Sequence, residues 1–325
     1  MKGFNWKKIT KQSEFYVFLI IVVLSVIIQI RSGLFFANNN IVDIMRSMIV
    51  PCIYALCAFL AFISTGPDVS FPLIAALSSY LAITITYKTG YDGPWIVVFI
   101  IVKYKFSSLI VTLGTSSIFS GLLLGAFEAE RMDLPDTLQR FGKVSLLTVK
   151  NAKTGLGSTL PMTFLLMVVL YIIVYFVLNY TMVGRGVYAI GGDEVSAERA
   201  GFAVKKIRFG IFVVNGMLAA VAGLSYAVMS MRYLPTEYSG AEMDVIAAII
   251  LGGTRLNGGV GTLKGCILGT LLLTMVSNSL ILLGISVYWQ KVFIGAIIII
   301  GTAISVMQSH NVKIGKAKTG KKEAA

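Results

Sequence analysis

A chain of 325 residues with 56% hydrophobic and only 13% charged side chains cannot cover its own surface in water; soluble domains carry about 25% charged residues. The mean hydropathy of +0.83 and the grouping of apolar residues into long blocks indicate an all-α integral membrane protein, a polytopic helical bundle. The formal charge of +13 would suggest nucleic acid as a partner of a soluble protein. Here Lys and Arg lie in tails and short loops beside apolar spans, the pattern that sets membrane orientation, so the lipid bilayer is the expected partner and nucleic acid is not.

Residues 1–14 form a basic N-terminal tail, and the apolar stretch after it carries no small-x-small cleavage site, so it reads as a retained first span. A helix needs about 20 apolar residues to cross roughly 30 Å of hydrocarbon. That requirement places spans at 15–36, 41–63, 71–87, 106–126, 160–180, 207–229, 262–283 and 288–307, within one transmembrane domain, 15–307. Two shorter apolar segments, Trp95 to Val102 and Met243 to Leu251, complicate the count.

Lys2, Lys7, Lys8 and Lys11 place the N-terminus inside, and Lys313, Lys316, Lys318, Lys321 and Lys322 do the same for the tail 308–325. Arg185, Arg199, Lys205, Lys206 and Arg208 make the loop 184–208 cytoplasmic. Crossings between these three points must be even in number. The 243 segment is then required to cross, and about ten spans result only if 95–102 also crosses. Eight helical residues rise about 12 Å, too little to cross alone, so this span reads as truncated. The loop 127–159, mixed in charge and holding Pro135, falls outside as a solvated loop.

In chain order, the first polar interruption is Ser64-Thr65-Gly66-Pro67-Asp68-Val69-Ser70-Phe71-Pro72, where two prolines and a glycine stop a helix. Asp68 has two readings: a polar lining of a translocation path, or a cap on the next helix in an interfacial loop. The second is GRGVYAIGGDEVSAERAGFAVKKIR at 184–208. Asp193 after Gly191 and Gly192 is a good N-cap, 194–200 suits two helical turns, and Gly201 suits the stop. A short charged helix facing the cytosol results, with Glu194, Glu198 and Arg199 as handles and Ala197 allowing close approach by a soluble partner. The third is Gly252-Gly253-Thr254-Arg255-Leu256-Asn257-Gly258-Gly259-Val260-Gly261. No G-x-x-x-x-G-K-[ST] occurs in the chain, so tight turns explain these glycines better than phosphate binding. Gly261, Gly265 and Gly269 recur every four residues, a spacing that suits close helix packing in lipid.

Cys52, Cys57 and Cys266 lie in or beside apolar spans without a C-x-x-C pair, and His310 is the only histidine, so no metal site is expected. Asp193, Glu194 and Glu198 lack a His, Cys or metal partner that would make them an enzyme's carboxylates. An ion-coupled secondary transporter of a small polar solute remains the alternative class; apart from Asp68, ionisable residues sit only at span edges, at Asp43, Arg46 and Asp244.

The stretches AIGGDEVSAERAGFAVKKIRFGIFVVNGMLAAVAGL, MDVIAAIILGGTRLNGGVGTLKGCILGTLL and YWQKVFIGAIII closely resemble permease subunits of bacterial monosaccharide importers of the ribose-transporter type. LIVTLGTSSIFSGLLL at 109–124 and STGPDVSFPL at 64–73 are similar to that family as well. The resemblance implies an ABC importer in the bacterial cytoplasmic membrane. Two permease copies would pair with two cytoplasmic ATPase subunits and receive sugar from an extracytoplasmic binding protein. The chain itself would bind no cofactor, with ATP and Mg on the partner ATPase. It also implies that Gly191 to Gly201 form the coupling helix, and that Asp68, Ser70, Thr112 and Thr115 belong to the translocation path. The family's Gly-Gly-Ile-Asp-Leu-Ser is replaced here by Gly66-Pro67-Asp68-Val69-Ser70, and the family's full span before residue 103 is represented only by 95–102.

Overall fold

The computed structural model describes residues 13–64, 66–89, 116–151, 155, 157–255, 258–296 and 299. The segment 95–102, Thr112, Thr115, both charged tails and large parts of the spans expected at 106–126 and 288–307 lie outside the described residues.

Among the described residues, six helices are long and apolar enough to cross a membrane. They are α1 (Ser13–Ser32), α2 (Asn38–Ser64), α3 (Phe71–Thr89), α6 (Thr163–Tyr180), α9 (Val204–Ser230) and α11 (Leu263–Leu282). Between them lie α4 (Ser116–Ala126), α5 (Asp136–Lys143), α7 (Met182–Gly192), α8 (Glu194–Arg199) and α10 (Ala241–Leu251). The expected all-α membrane bundle is what the chain forms.

The bundle is organised around α2. A helix that is apolar on every side is an interior helix, and Ile49, Ile53, Leu56, Phe59, Phe62 and Ile63 are all fully enclosed. Ala55, Ala58 and Ala61 keep its surface narrow enough for α6, α7, α9, α10 and α11 to pack around it. Pro51 lies inside this helix. Having no N–H, it cannot bond the carbonyl of Ser47 four residues before it.

One end of the bundle is capped by small β elements. The loop expected to be merely solvated at 127–159 is folded. It contains α5, the strand β1 (Met132–Asp133) and the antiparallel hairpin β2 (Ser145–Lys150) and β3 (Gly157–Pro161). β1 pairs with β4 (Arg232–Tyr233), which follows α9. The Asn151 side-chain amide donates to the Asn39 side-chain carbonyl at 2.8 Å, lashing the hairpin to the start of α2. The span expected from residue 160 is corrected accordingly: Leu160 and Pro161 complete β3, and the helix opens at Thr163.

The crossing expected of the 243 segment is a half-helix. α10 has 11 residues, about 16 Å of rise, and the glycine turn after it carries the chain to the start of α11. The two helices touch backbone to backbone. A methyl group on Gly269 would sit 1.9 Å from the Ala248 carbonyl oxygen, and one on Gly265 1.9 Å from that of Gly252. Gly261 lies before α11 rather than on it, and packs instead against Phe59, Ile63 and Thr254.

Candidate functional site

Three features bear on function: the helix break at Asp68, the junction at the α8 end of the bundle, and a cavity toward the hairpin end.

The break returns into the bundle. After Ser64 the chain is non-helical through 66–70, and α3 begins at Phe71, whose ring lies 5.3 Å from that of Tyr54. Tyr54 precedes Ser64 by ten residues, about 15 Å along α2. The break therefore lies inside the bundle, where non-helical backbone must be covered by protein or line a cavity. Asp68 is 6% exposed. One of its carboxylate oxygens accepts from the Ser70 amide at 2.8 Å and the Ser70 hydroxyl at 2.7 Å. The Ser116 hydroxyl donates to the Val69 carbonyl at 3.4 Å, which brings α4 onto the same segment.

At the far end from the hairpin, α7 and α8 follow one another and pack together. Asp193 separates them. Its carboxylate accepts from the Ser196 amide at 2.6 Å, and the hydrogen bonds from Ser196 hold its carboxyl below the ordinary aspartate range. Gly201 follows α8 with φ of +87°, a left-handed conformation that a side chain would strain. Ala197 does not face outward: it packs with Ile190 and Val204, holding α8 against α7 and the start of α9. The outward surface carries Val195, Glu198 and Arg199. Glu194 is not a free handle, because the Arg208 guanidinium pairs with it at 2.7 Å.

The close contact at this junction is at Gly191. A methyl group there would lie 1.9 Å from the Ile63 carbonyl oxygen and 2.5 Å from the Gly259 nitrogen. Gly192, by contrast, faces open space. The Gly259 amide donates to the same Ile63 carbonyl at 3.2 Å, and the Tyr188 hydroxyl donates to the Gly261 carbonyl at 3.1 Å. The end of α7, the end of α2 and the glycine turn before α11 thus meet through main-chain atoms. Ile63 is five residues from Asp68, so the junction abuts the start of the helix break.

The cavity, about 380 Å³, lies between α2, α9, α10 and α11. Asp68 and Ser70 are not in its walls; Arg46, Tyr54, Glu237, Asp244, Thr274 and Asn278 are. Sequence reading noted Arg46 and Asp244 only as span-edge charges. Tyr54 and Asn278 gave no signal, since a single polar atom inside an apolar run does not alter its periodicity.

The family described as branched-chain amino acid transport system / permease component matches residues 93–302, more than half of the chain. The chain belongs to this family. The permease is similar, at 29% identity, to the probable ABC transporter permease protein YphD of Escherichia coli K12, over 94% of this chain and 92% of that protein. It is 28% identical to the ribose import permease protein RbsC of Haemophilus influenzae, covering 87% of this chain and 90% of the relative. It is also 28% identical to the autoinducer 2 import system permease protein LsrC of Klebsiella pneumoniae, covering 92% and 87% respectively. No solved structure matches. The permease is accordingly a multi-pass membrane transport subunit, with the junction and the cavity at opposite ends of its bundle.

Proposed function

We propose that this permease is the membrane-spanning subunit of an ATP-driven importer of a monosaccharide or a closely related polyhydroxylated solute. Its near full-length likeness to proteins named for ribose and autoinducer 2 import carries this reading. In it, two permease copies associate with separate cytoplasmic ATPase subunits, where ATP and Mg bind, and with an extracytoplasmic binding protein that delivers the sugar. Both termini and α8 face the cytoplasm, and the hairpin end faces outward.

α8 is the element that the ATPase grips. Its outward Val195, Glu198 and Arg199 offer one apolar and two charged contacts, while Ala197 and the Glu194–Arg208 pair fix it to the permease. Displacement of α8 passes through Gly191 to the Ile63 carbonyl and hence to the break carrying Asp68 and Ser70. Those two residues, with Thr112 and Thr115, are assigned to the translocation path. The test is reconstitution of the permease with its ATPase and binding protein, followed by sugar-stimulated ATP hydrolysis and uptake. Uptake driven by an ion gradient without ATPase subunits would overturn the reading.

A further inference from the structure

Asn215 is a polar side chain with nothing to hold. It lies within α9 and is 4% exposed. Neither its amide nitrogen nor its amide oxygen has a hydrogen-bond partner among the described residues, and both atoms are shut away from solvent. Among the described residues it alone carries two such atoms. Burying an unpaired polar group costs stability, and native folds keep few such groups, each with a reason.

Its depth in the bundle follows from its contacts. The Cys57 thiol of α2 donates to the Asn215 main-chain carbonyl at 3.7 Å, so Asn215 and Cys57 share a level. Tyr54, whose ring meets that of Phe71, lies three residues from Cys57 toward the hairpin end, about 4.5 Å along α2. Ser64 lies seven residues from Cys57 in the other direction, about 10 Å. The chain from Ser64 to Phe71 joins those two levels, so the break that carries Asp68 passes the level of Asn215. α9 packs against both helices that the break connects: α2, as at Cys57, and α3, where Gly223 comes up against Ala75 and Ser79. The Cys57 thiol is bonded to the main chain of Asn215 and lies in the field of the Asp68 carboxylate.

Asp68 holds Ser70 with one carboxylate oxygen, and its other oxygen is bonded by nothing among the described residues. An unused acceptor thus stands at the depth of an unused donor, and no hydrogen bond joins them in this conformation. α9 is one continuous helix past this level, whereas the break is non-helical chain between two helices and is the part able to shift. We propose that Asn215 is a positioning residue of the transport cycle: its amide receives the Asp68 carboxylate when the break moves toward α9, and so holds the break in the second conformation of the transporter. An amide orphaned in one state and paired in the other biases the equilibrium toward the second by the difference in its bonding. Movement of α8 by the ATPase then acts on a break that already has a partner waiting. This inference rests on the importer reading above and deepens it.

The test uses the full transporter in proteoliposomes. ATP-driven uptake of D-ribose, or of the pentose or hexose that the wild type carries, is expressed per permease in the membrane. Asn215→Asp faces Asp68 with a second carboxylate and should lower uptake at least about 5-fold, the low end of a coupling between two sites. Adding Asp68→Asn restores a complementary pair with the roles exchanged, because the amide at position 68 keeps an oxygen for Ser70 and turns its nitrogen to the carboxylate at position 215. Most of the uptake should return. Asn215→Leu keeps the branching of the side chain and removes both unpaired atoms, so it should melt no lower than the wild type in detergent. Its uptake should nevertheless fall at least about 5-fold. A melting temperature that falls together with uptake in Asn215→Leu marks a purely structural asparagine and overturns the proposal. Failure of Asp68→Asn to restore uptake to Asn215→Asp overturns it as well, and both outcomes leave the importer reading intact. A wild type without ATP-driven sugar uptake removes the importer reading, and this inference with it.

Discussion

At Gly191 there is no space for even one carbon atom, whereas at Gly192 there is nothing within 4 Å of where it would go. Gly191→Ala is therefore expected to destabilise the permease by about 1–3 kcal/mol, as overpacking against backbone does, and to depress sugar uptake. Gly192→Ala should leave both unchanged. Thermal melting in detergent and uptake in cells check the pair, and equal behaviour of the two variants would remove Gly191 from the junction. At Asp68 the expected outcome follows from its two bonds. Asp68→Ala leaves the Ser70 amide buried without its acceptor, at a cost of about 1–3 kcal/mol. Asp68→Asn keeps an acceptor oxygen for Ser70 and should retain most of the stability, so a loss of uptake in Asp68→Asn reports the charge rather than the fold. Asp193 titrates in the opposite sense to a buried acid. Its folded value is lowered, so the cap is intact above the ordinary aspartate range and is lost as pH falls through the lowered value. Hydrogen exchange at the Ser196 amide should accelerate at that point and not before.

The elements differ in how plainly the sequence announced them. α8 was legible to within a residue, expected over 194–200 and formed by Glu194–Arg199, because a capping carboxylate, a run of helix formers and a stopping glycine are local signals that tertiary contacts do not override. What packs against it was not legible, since Ala197 facing inward and Arg208 reaching back to Glu194 depend on where α7 and α9 lie. Exposed ion pairs contribute roughly 0–1 kcal/mol, so Arg208→Ala should change stability little. It should free Glu194 and α8, lowering co-purification of the ATPase more than it lowers membrane content; unchanged co-purification would show that the pair does not set the angle of α8. The glycine stretch at 252–261 was legible as turns, but its role as the meeting point of α2, α7 and α11 arises from residues far apart in the chain. The break at 64–72 was legible as an interruption, while its depth was not. Depth is set by the return of Phe71 to Tyr54, a contact between two residues of apolar runs that look alike in sequence.

For the molecule as a whole, the arrangement separates two faces. The hairpin, β1–β4 and the start of α2 lie at one end, and α8 with the glycine junction lies at the other. Cysteine introduced at Lys150 should react with an impermeant reagent from intact cells, and cysteine at Val195 should react only after the membrane is opened. The reverse pattern would invert the proposed orientation. Charge bias in the sequence already pointed to this sidedness, and the fold adds that both faces are built structures rather than loose loops. α1 stands apart from the rest. Its substantial packing partner among the described residues is α11, which it meets through Ser25 on Met275 and Glu14 on Thr262. About 230 residues separate Ser32 from Leu263. At a synthesis rate of roughly 5–20 residues per second, that interval lasts about 12–46 s. α1, the first of these helices in chain order, thus waits for α11 before its main packing contact can form. Of the six candidate spans it has the highest hydropathy, 2.3 over its window, the property a helix needs when the ribosome leaves it waiting.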